Sequence, residues 1–228
     1  MRKLSLLCAA LVFLAPSAQA APIDTYTDLV AKAEQGEKID IQALRDAYVH
    51  LPQYDPYAMT RPPFIAILQA LRAHKLAQAC PAVGTLLKAD YINTFLHLMR
   101  AACLRQSHAS LQALFVKLAI VPQLNAAVLA TGDGKSLKTA YRIVSFSDLG
   151  AVAGRAHVKF DGIAEVTDHG HRYLLLEGPI AQMPVHALPG APQPPAPPAR
   201  WVKIFFNVDT FGLSKMPPPK NLFDGKLG

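Results

Sequence analysis

The spacing of apolar residues changes once along this chain, from a helical period up to about Ala130 to a strand period after Thr131. Ile41, Leu44, Tyr48 and Leu51 step by three and four residues behind Asp40, a residue type that caps helix N-termini. Phe64, Leu68 and Leu71 repeat the step after Arg61-Pro62-Pro63, where proline suits a first helical turn. Ile92, Phe95, Met99 and Cys103 form a third stripe, and Leu111, Leu114, Phe115 and Leu118 a fourth. Each stripe is one face of a short helix that must bury it against a neighbour. Such hairpins resemble tetratricopeptide pairs, but the echo at a period of about 34 residues is too faint to support a repeat array.

After Thr131, Tyr141, Ile143 and Ser145 alternate with Arg142, Val144 and Phe146, which predicts a strand. Val158–Val166 and Tyr173–Glu177 flank Asp168-His169-Gly170-His171, a polar turn of hairpin character. Trp201–Val208, rich in aromatic and β-branched residues, predicts a last strand. The expected class is α+β. A bundle of short helical hairpins over residues 21–130 precedes a small antiparallel sheet within residues 131–228, the two halves forming one compact unit. Residues 188–199 carry six prolines. They cannot support a sheet ladder, so an extended insertion is expected, either a stiff spacer or a docking peptide. Pro217-Pro218-Pro219 and the Gly-ended tail are expected to be mobile.

The first residues obey a different chemistry. Arg2 and Lys3 precede Leu4–Ala15, apolar except for Ser5, and Ala18-Gln19-Ala20 supplies a small-x-small exit. This pattern predicts a secretory signal over residues 1–20, cleaved after Ala20, and places the protein in the periplasm or outside the cell. A membrane span needs about 20 apolar residues, and no later stretch approaches that length, so no span is expected after signal removal. Cleavage removes Arg2 and Lys3 but no acid, lowering the formal charge of +7 by two. Cys8 leaves as well. Cys80 and Cys103 then remain as an even pair in an oxidising compartment, and a disulfide between them is predicted. Closing that loop is worth about 3 kcal/mol in the chain-entropy view. Pro81 is expected to interrupt between two helices and leave Cys80 at a helix end.

Composition excludes several function classes. With 51% hydrophobic and 17% charged residues, wholesale disorder is excluded. Lys and Arg occur singly, without the clustered stripe and interleaved aromatics of a nucleic-acid binder, so no nucleic-acid partner is expected. The modest, spread charge allows an envelope protein or an anionic envelope polymer as partner, although solvated faces explain the lysines more cheaply.

Few residues form a chemical constellation. Gly132-Asp133-Gly134-Lys135-Ser136 resembles a phosphate loop but has Leu129 where that motif needs glycine, and it follows a helix rather than a strand. The expected role is structural, with Gly132 capping the preceding helix in the left-handed region and Asp133-Gly134 turning the chain. Asp133 and Lys135 nonetheless remain candidates for a ligand site at the helix–sheet junction. His169 and His171 beside Asp168 are candidates for a metal site, although a structural zinc needs four ligands and His157 and His186 have no fixed spacing to help. No nucleophile elbow occurs, Ser145 and Ser147 lack a supporting frame, and no pair among Asp55, Asp148, Asp161 and Glu165 is marked out for acid–base work. No catalytic residue and no cofactor is therefore assigned. His97, beside an apolar stripe, is expected to be a hydrogen-bonded core residue. In Tyr54-Asp55-Pro56-Tyr57, proline fixes its own φ and pushes Asp55 from helical space. Tyr54, Asp55 and Tyr57 thus form either an aromatic platform for a partner or a corner whose tyrosines pack inward with surface hydroxyls.

These pieces also occur in a recognisable order. Leu44-Arg45-Asp46-Ala47-Tyr48, Tyr54-Asp55-Pro56-Tyr57, Asp90-Tyr91 with His97, Gly132-Asp133-Gly134-Lys135-Ser136 with Thr139-Ala140-Tyr141, and Phe205-Phe206-Asn207-Val208-Asp209 follow one another. The series resembles a family of small exported bacterial proteins known as a domain of unknown function (DUF four-nine-one-nine type). The likeness covers most of the chain after residue 20, with the Pro-rich stretch outside it and Ser147-Asp148-Leu149 departing from it. It implies a signal peptide, a helical half and a sheet half, and it transfers no reaction and no site. The expected function is an exported cell-envelope binding module. The alternative is a periplasmic hydrolase or metal-binding protein with its site at the helix–sheet junction or the His169–His171 turn.

Overall fold

The structure is a computed structural model that describes residues 22–180 and 200–219; the signal-like segment 1–20 and the Pro-rich insertion 188–199 lie outside the described residues. The chain begins with helix α1 (Pro22–Glu34) and α2 (Ile41–Val49), followed by α3 (Pro62–Arg72), α4 (Leu76–Ala89) and α5 (Thr94–Gln106). α6 (Leu111–Leu118) and α7 (Ile120–Leu129) then form a near-continuous run broken only at Ala119. The caps are local. Asp40 accepts from the backbone N–H groups of Gln42 and Ala43 at 2.8 and 3.0 Å, Asn93 from Leu96, and Ser110 from Ala113. α3 packs on α4 and α4 on α5, while α1 packs on α2. Leu44, Tyr48, Phe64, Ile67, Leu87 and Ile92 meet in the centre of this half. Each large side chain fully removed from water is worth about 1.5–3 kcal/mol.

Cys80 and Cys103 are bonded, with their Cα atoms 5.8 Å apart, and tie α4 to α5. Pro81 does not separate two helices, as the sequence suggests, but lies inside α4. The break falls earlier, where His74 adopts φ +56 between α3 and α4. Left-handed residues end helices readily, and here a histidine takes the place usually given to glycine.

The sheet half holds β1 (Tyr141–Arg142), α8 (Leu149–Ala156), β2 (Gly162–Asp168), β3 (His171–Pro179) and β4 (Trp201–Asn207). The expected α+β class holds, but the sheet is mixed rather than wholly antiparallel. Its order is β1-β4-β3-β2, with β1 parallel to β4 and the other pairs antiparallel. The chain leaves β1 through α8 to the far edge, so the returning β4 runs beside β1 in the same direction. The strand expected over Tyr141–Phe146 stops after two residues because Ser145 and Asp148 form a capping box that opens a 3₁₀ turn and then α8. His169 (φ +48) and Gly170 (φ +83) make the β2–β3 turn where the sequence places it. Leu174, Leu176, Ile204 and Phe206 build a second core with Tyr57, Ile143 and Phe146.

Among the described residues, Leu111–Leu129 is the longest apolar helical run that the sequence reading did not single out. It is 19 residues long and contains an 18-residue window of mean hydropathy 1.5, enough by length and composition to cross a membrane, of which 17% is buried. It is a helix pair packed along one side of the bundle, with Ile120, Leu124 and Val128 turned into the protein.

Candidate functional site

The most distinctive tetrapeptide lies between the two cores. Tyr54 belongs to the helical core and Tyr57 to the sheet core, and their exposures are 2% and 3%. The Tyr54 hydroxyl donates to the Val144 carbonyl at 2.8 Å, inside the protein rather than at its surface. Asp55 accepts from the Tyr57 backbone N–H and from both Nε and Nη2 of Arg61, at 2.7 to 3.1 Å. The Pro56 carbonyl accepts from the Phe146 N–H, and the Tyr54 carbonyl from the Ser214 hydroxyl. Arg61 also donates to the carbonyl of Pro217, so the tail expected to be mobile is held there as far as this residue. The inward-packed corner, not an aromatic platform, is the arrangement present.

Beside it, Arg45 on α2 meets Asp148 in two parallel bonds of 2.8 and 3.0 Å, with side-chain exposures of 2% and 4%. Asp148 also accepts from the backbone N–H groups of Val144 and Ser145, and Arg45 donates to the Arg142 carbonyl. Every charge at this buried joint has a partner, which such desolvated ions require. Their pairing was not visible in the sequence, because 103 positions separate them.

The Gly132–Ser136 turn is equally occupied with structure. Gly132 is not left-handed; α7 ends at Ala130, and a Cβ on Gly132 would lie 2.4 Å from the Thr139 carbonyl oxygen. Gly134 takes φ +67, and a Cβ there would lie 2.7 Å from Ile204. Asp133 accepts from the Lys135 N–H at 3.0 Å, and its ion pair with the exposed Lys135 is 3.3 Å long. Hydrogen bonds from the Thr139 hydroxyl and the Lys135 backbone hold the Asp133 carboxyl down at about 2. His171 Nδ1 lies 2.7 Å from Asp209 and His169 3.8 Å from Asp168, so the two histidines turn to separate carboxylates. Among the described residues, no group of three or more His, Cys, Asp or Glu side chains is placed to hold a metal. His97 is a core residue as expected; it lies buried with Nε2 2.7 Å from the Tyr91 carbonyl, and burial pushes its pKa down to about 4.

Open space lies elsewhere, over the helical half. A cavity of about 580 Å³ runs between α1, α4 and α5, walled by Tyr26, Val30, Ala31 and Leu87 and reaching Glu34 and Arg100. A second, of about 440 Å³, has the Cys80–Cys103 bond among its walls. The two share Gly84 and Arg100, and a Cβ on Gly84 would meet nothing within 4 Å. The helix α4 thus leaves its own floor unfilled at this point.

The polar end of the groove is a built cluster. Glu34 Oε1 accepts from the Tyr91 hydroxyl at 2.8 Å and from Arg100 at 2.6 Å, and Oε2 accepts from Lys117 at 2.9 Å. Burial opposes ionisation of Glu34, but donation from Arg100, Lys117 and Tyr91 overcomes it and holds the pKa at about 2. Lys88 adds a cation on the rim. The lining therefore presents two cations and one carboxylate already committed to three donors. Such a lining accepts an apolar chain and leaves positive potential for an acid at its end. None of these residues was marked by the sequence analysis as a site. Glu34 and Arg100 are 66 positions apart, on helices whose contact no spacing reveals.

No family model, no curated protein and no solved structure matches the chain.

Proposed function

We propose that this chain is an exported cell-envelope binding module, of the family its motifs resemble, and that its groove over α1, α4 and α5 takes the apolar chain of an acidic amphiphile. The observation that carries this reading is the pair of cavities that meet at Gly84, apolar along the walls and cationic at Arg100 and Lys88. The signal-like N-terminus and the Cys80–Cys103 bond support export to an oxidising compartment. The acid of the ligand sits near Arg100, whose second role is to hold Glu34. The alkyl part lies along Val30, Ala31 and Leu87, where water gains nothing by staying.

The test is titration with dansylamino-undecanoic acid, whose fluorescence rises on leaving water. The wild type and Gly84→Ala are expected to bind it, the alanine also strengthening α4 by roughly 0.5–1 kcal/mol. Gly84→Phe fills the floor and is expected to abolish the rise while leaving the thermal midpoint within a few degrees of the wild type. No rise with the wild type, or an equal rise with Gly84→Phe, would overturn the reading.

A further inference from the structure

The outward face of α6 and α7 has a composition that surface helices of a water-soluble protein avoid. Leu111 and Phe115 are 71% and 70% exposed, and Ala119, Pro122 and Ala126 continue their line at steps of four, three and four. That spacing keeps all five on one side of the run, opposite Ile120, Leu124 and Val128 in the core. Lys117 is the one charged residue between Leu111 and Leu129, and its ammonium turns inward to Glu34.

The charges around this face are positive in sum. From Tyr91 to Gly132 the chain carries no carboxylate at all, whereas Arg100, Arg105 and Lys117 fall within that stretch. Arg105 and His108 are exposed at the turn that leads into Leu111. Two carboxylates from the end of α1 and the turn after it lie beside this face. Glu34 is consumed by Arg100 and Lys117, and Glu37 stands beside Lys38 near the Gly36–Val116 contact. An apolar stripe whose rim is net positive even with Glu34 and Glu37 counted complements a surface that is apolar beneath and anionic above.

We infer that the α6–α7 face docks the protein on an anionic phospholipid surface, with Leu111 and Phe115 entering the headgroup–acyl boundary. The helices lie in the surface plane and do not span it. Their opposite side is packed into the bundle through Ile120, Leu124 and Val128, and crossing the bilayer would strip that side from its core. This inference stands apart from the groove, because none of the residues of the exposed stripe lines the cavities at Gly84.

The test is cosedimentation of the purified chain with vesicles of phosphatidylglycerol and phosphatidylcholine in equal parts, against phosphatidylcholine alone. Binding to the anionic vesicles is expected, weakening as salt is raised. The double variant Leu111→Ser, Phe115→Ser leaves every charge in place and is expected to lose at least about tenfold in partitioning, since two large apolar side chains no longer leave water. Both positions are exposed, so its thermal midpoint should match the wild type. As a second readout, Phe115→Trp in a Trp201→Phe background should shift its emission to the blue on anionic vesicles. Absence of binding, or binding unchanged in the serine variant, overturns the inference. So does a dimer in solution that the serine variant splits and that ignores vesicles, which would assign the face to a second copy of the chain.

Discussion

The joint between the two halves and the groove over the helical half use the same residue types to opposite ends. At the joint, Arg45 and Asp148 are buried and bonded twice, and the Tyr54 hydroxyl is taken by Val144. At the groove, Arg100, Glu34 and the buried Tyr91 make equally short bonds, but Arg100 and Glu34 stay part-exposed beside about 580 Å³ of open volume. A short ion pair does not by itself mark a site. What separates the two is whether the surrounding side chains fill the volume or leave it.

The strongest way to break this contrast is to remove one partner at the joint. Arg45→Ala leaves Asp148 charged and buried, and is expected to destabilise the fold by about 3–5 kcal/mol in urea denaturation. Replacing both residues with apolar ones of similar size should cost far less. If Arg45→Ala costs no more than an exposed substitution, the joint is not what couples the halves.

A pH series adds a further test, because Asp90 is a third buried ionisable group. Asp90 is bonded through Oδ2 to Asn93, while Oδ1 has no hydrogen-bond partner among the described residues. Burial pushes its pKa up to about 7. An acid whose folded pKa is raised costs stability as pH climbs from about 4 to 7, because the unfolded chain gives up its proton first. His97, pushed down to about 4, acts in the other sense and adds stability as pH climbs from 4 to about 6.5. The two slopes, each at most about 1.4 kcal/mol per pH unit, nearly cancel in the wild type. Asp90→Asn is expected to uncover the rising histidine slope and to leave the variant more stable than the wild type at pH 8. A profile identical to the wild type would show that Asp90 is not held neutral. Below about pH 4.5, loss of Glu34 adds a further fall in stability toward its folded value of about 2.

The smallest expected effect concerns the helix ends around the groove. His74 and His108 hold φ of +56 and +57 just before α4 and α6. Glycine at either position relieves a left-handed conformation that a side chain resists, for a gain of a few tenths to about 1 kcal/mol by thermal unfolding. No gain would mean that the histidine rings earn their place by contacts that glycine loses.

Local features were readable in the sequence wherever the physics is local. Asp40 caps α2, the Asp168–His171 turn joins two strands, and His97 sits in the core because periodicity and turn chemistry act over a few residues. The same kind of reading failed where a local signal competes with another. Ser145-x-x-Asp148 overrode the alternation of Tyr141–Phe146, and α4 tolerated Pro81 because packing on α3 and α5 and the bond to Cys103 hold it. The candidate groove was not legible at all. Its polar end joins Glu34, Tyr91, Arg100 and Lys117 from four places in the chain, each ordinary in its own neighbourhood.

By itself, then, the amino-acid order determined the α+β class, the change of period near Thr131 and the pairing of the two cysteines, which depend on short-range periodicity and on a count. Only the tertiary structure decided that Tyr54-Asp55-Pro56-Tyr57 faces inward, that Arg45 reaches Asp148, and that Gly84 opens onto empty space. The reason is one of distance along the chain. Burial, ion pairing and cavities are set by which distant segments meet, and that meeting is fixed by the sum of many weak contacts rather than by any motif.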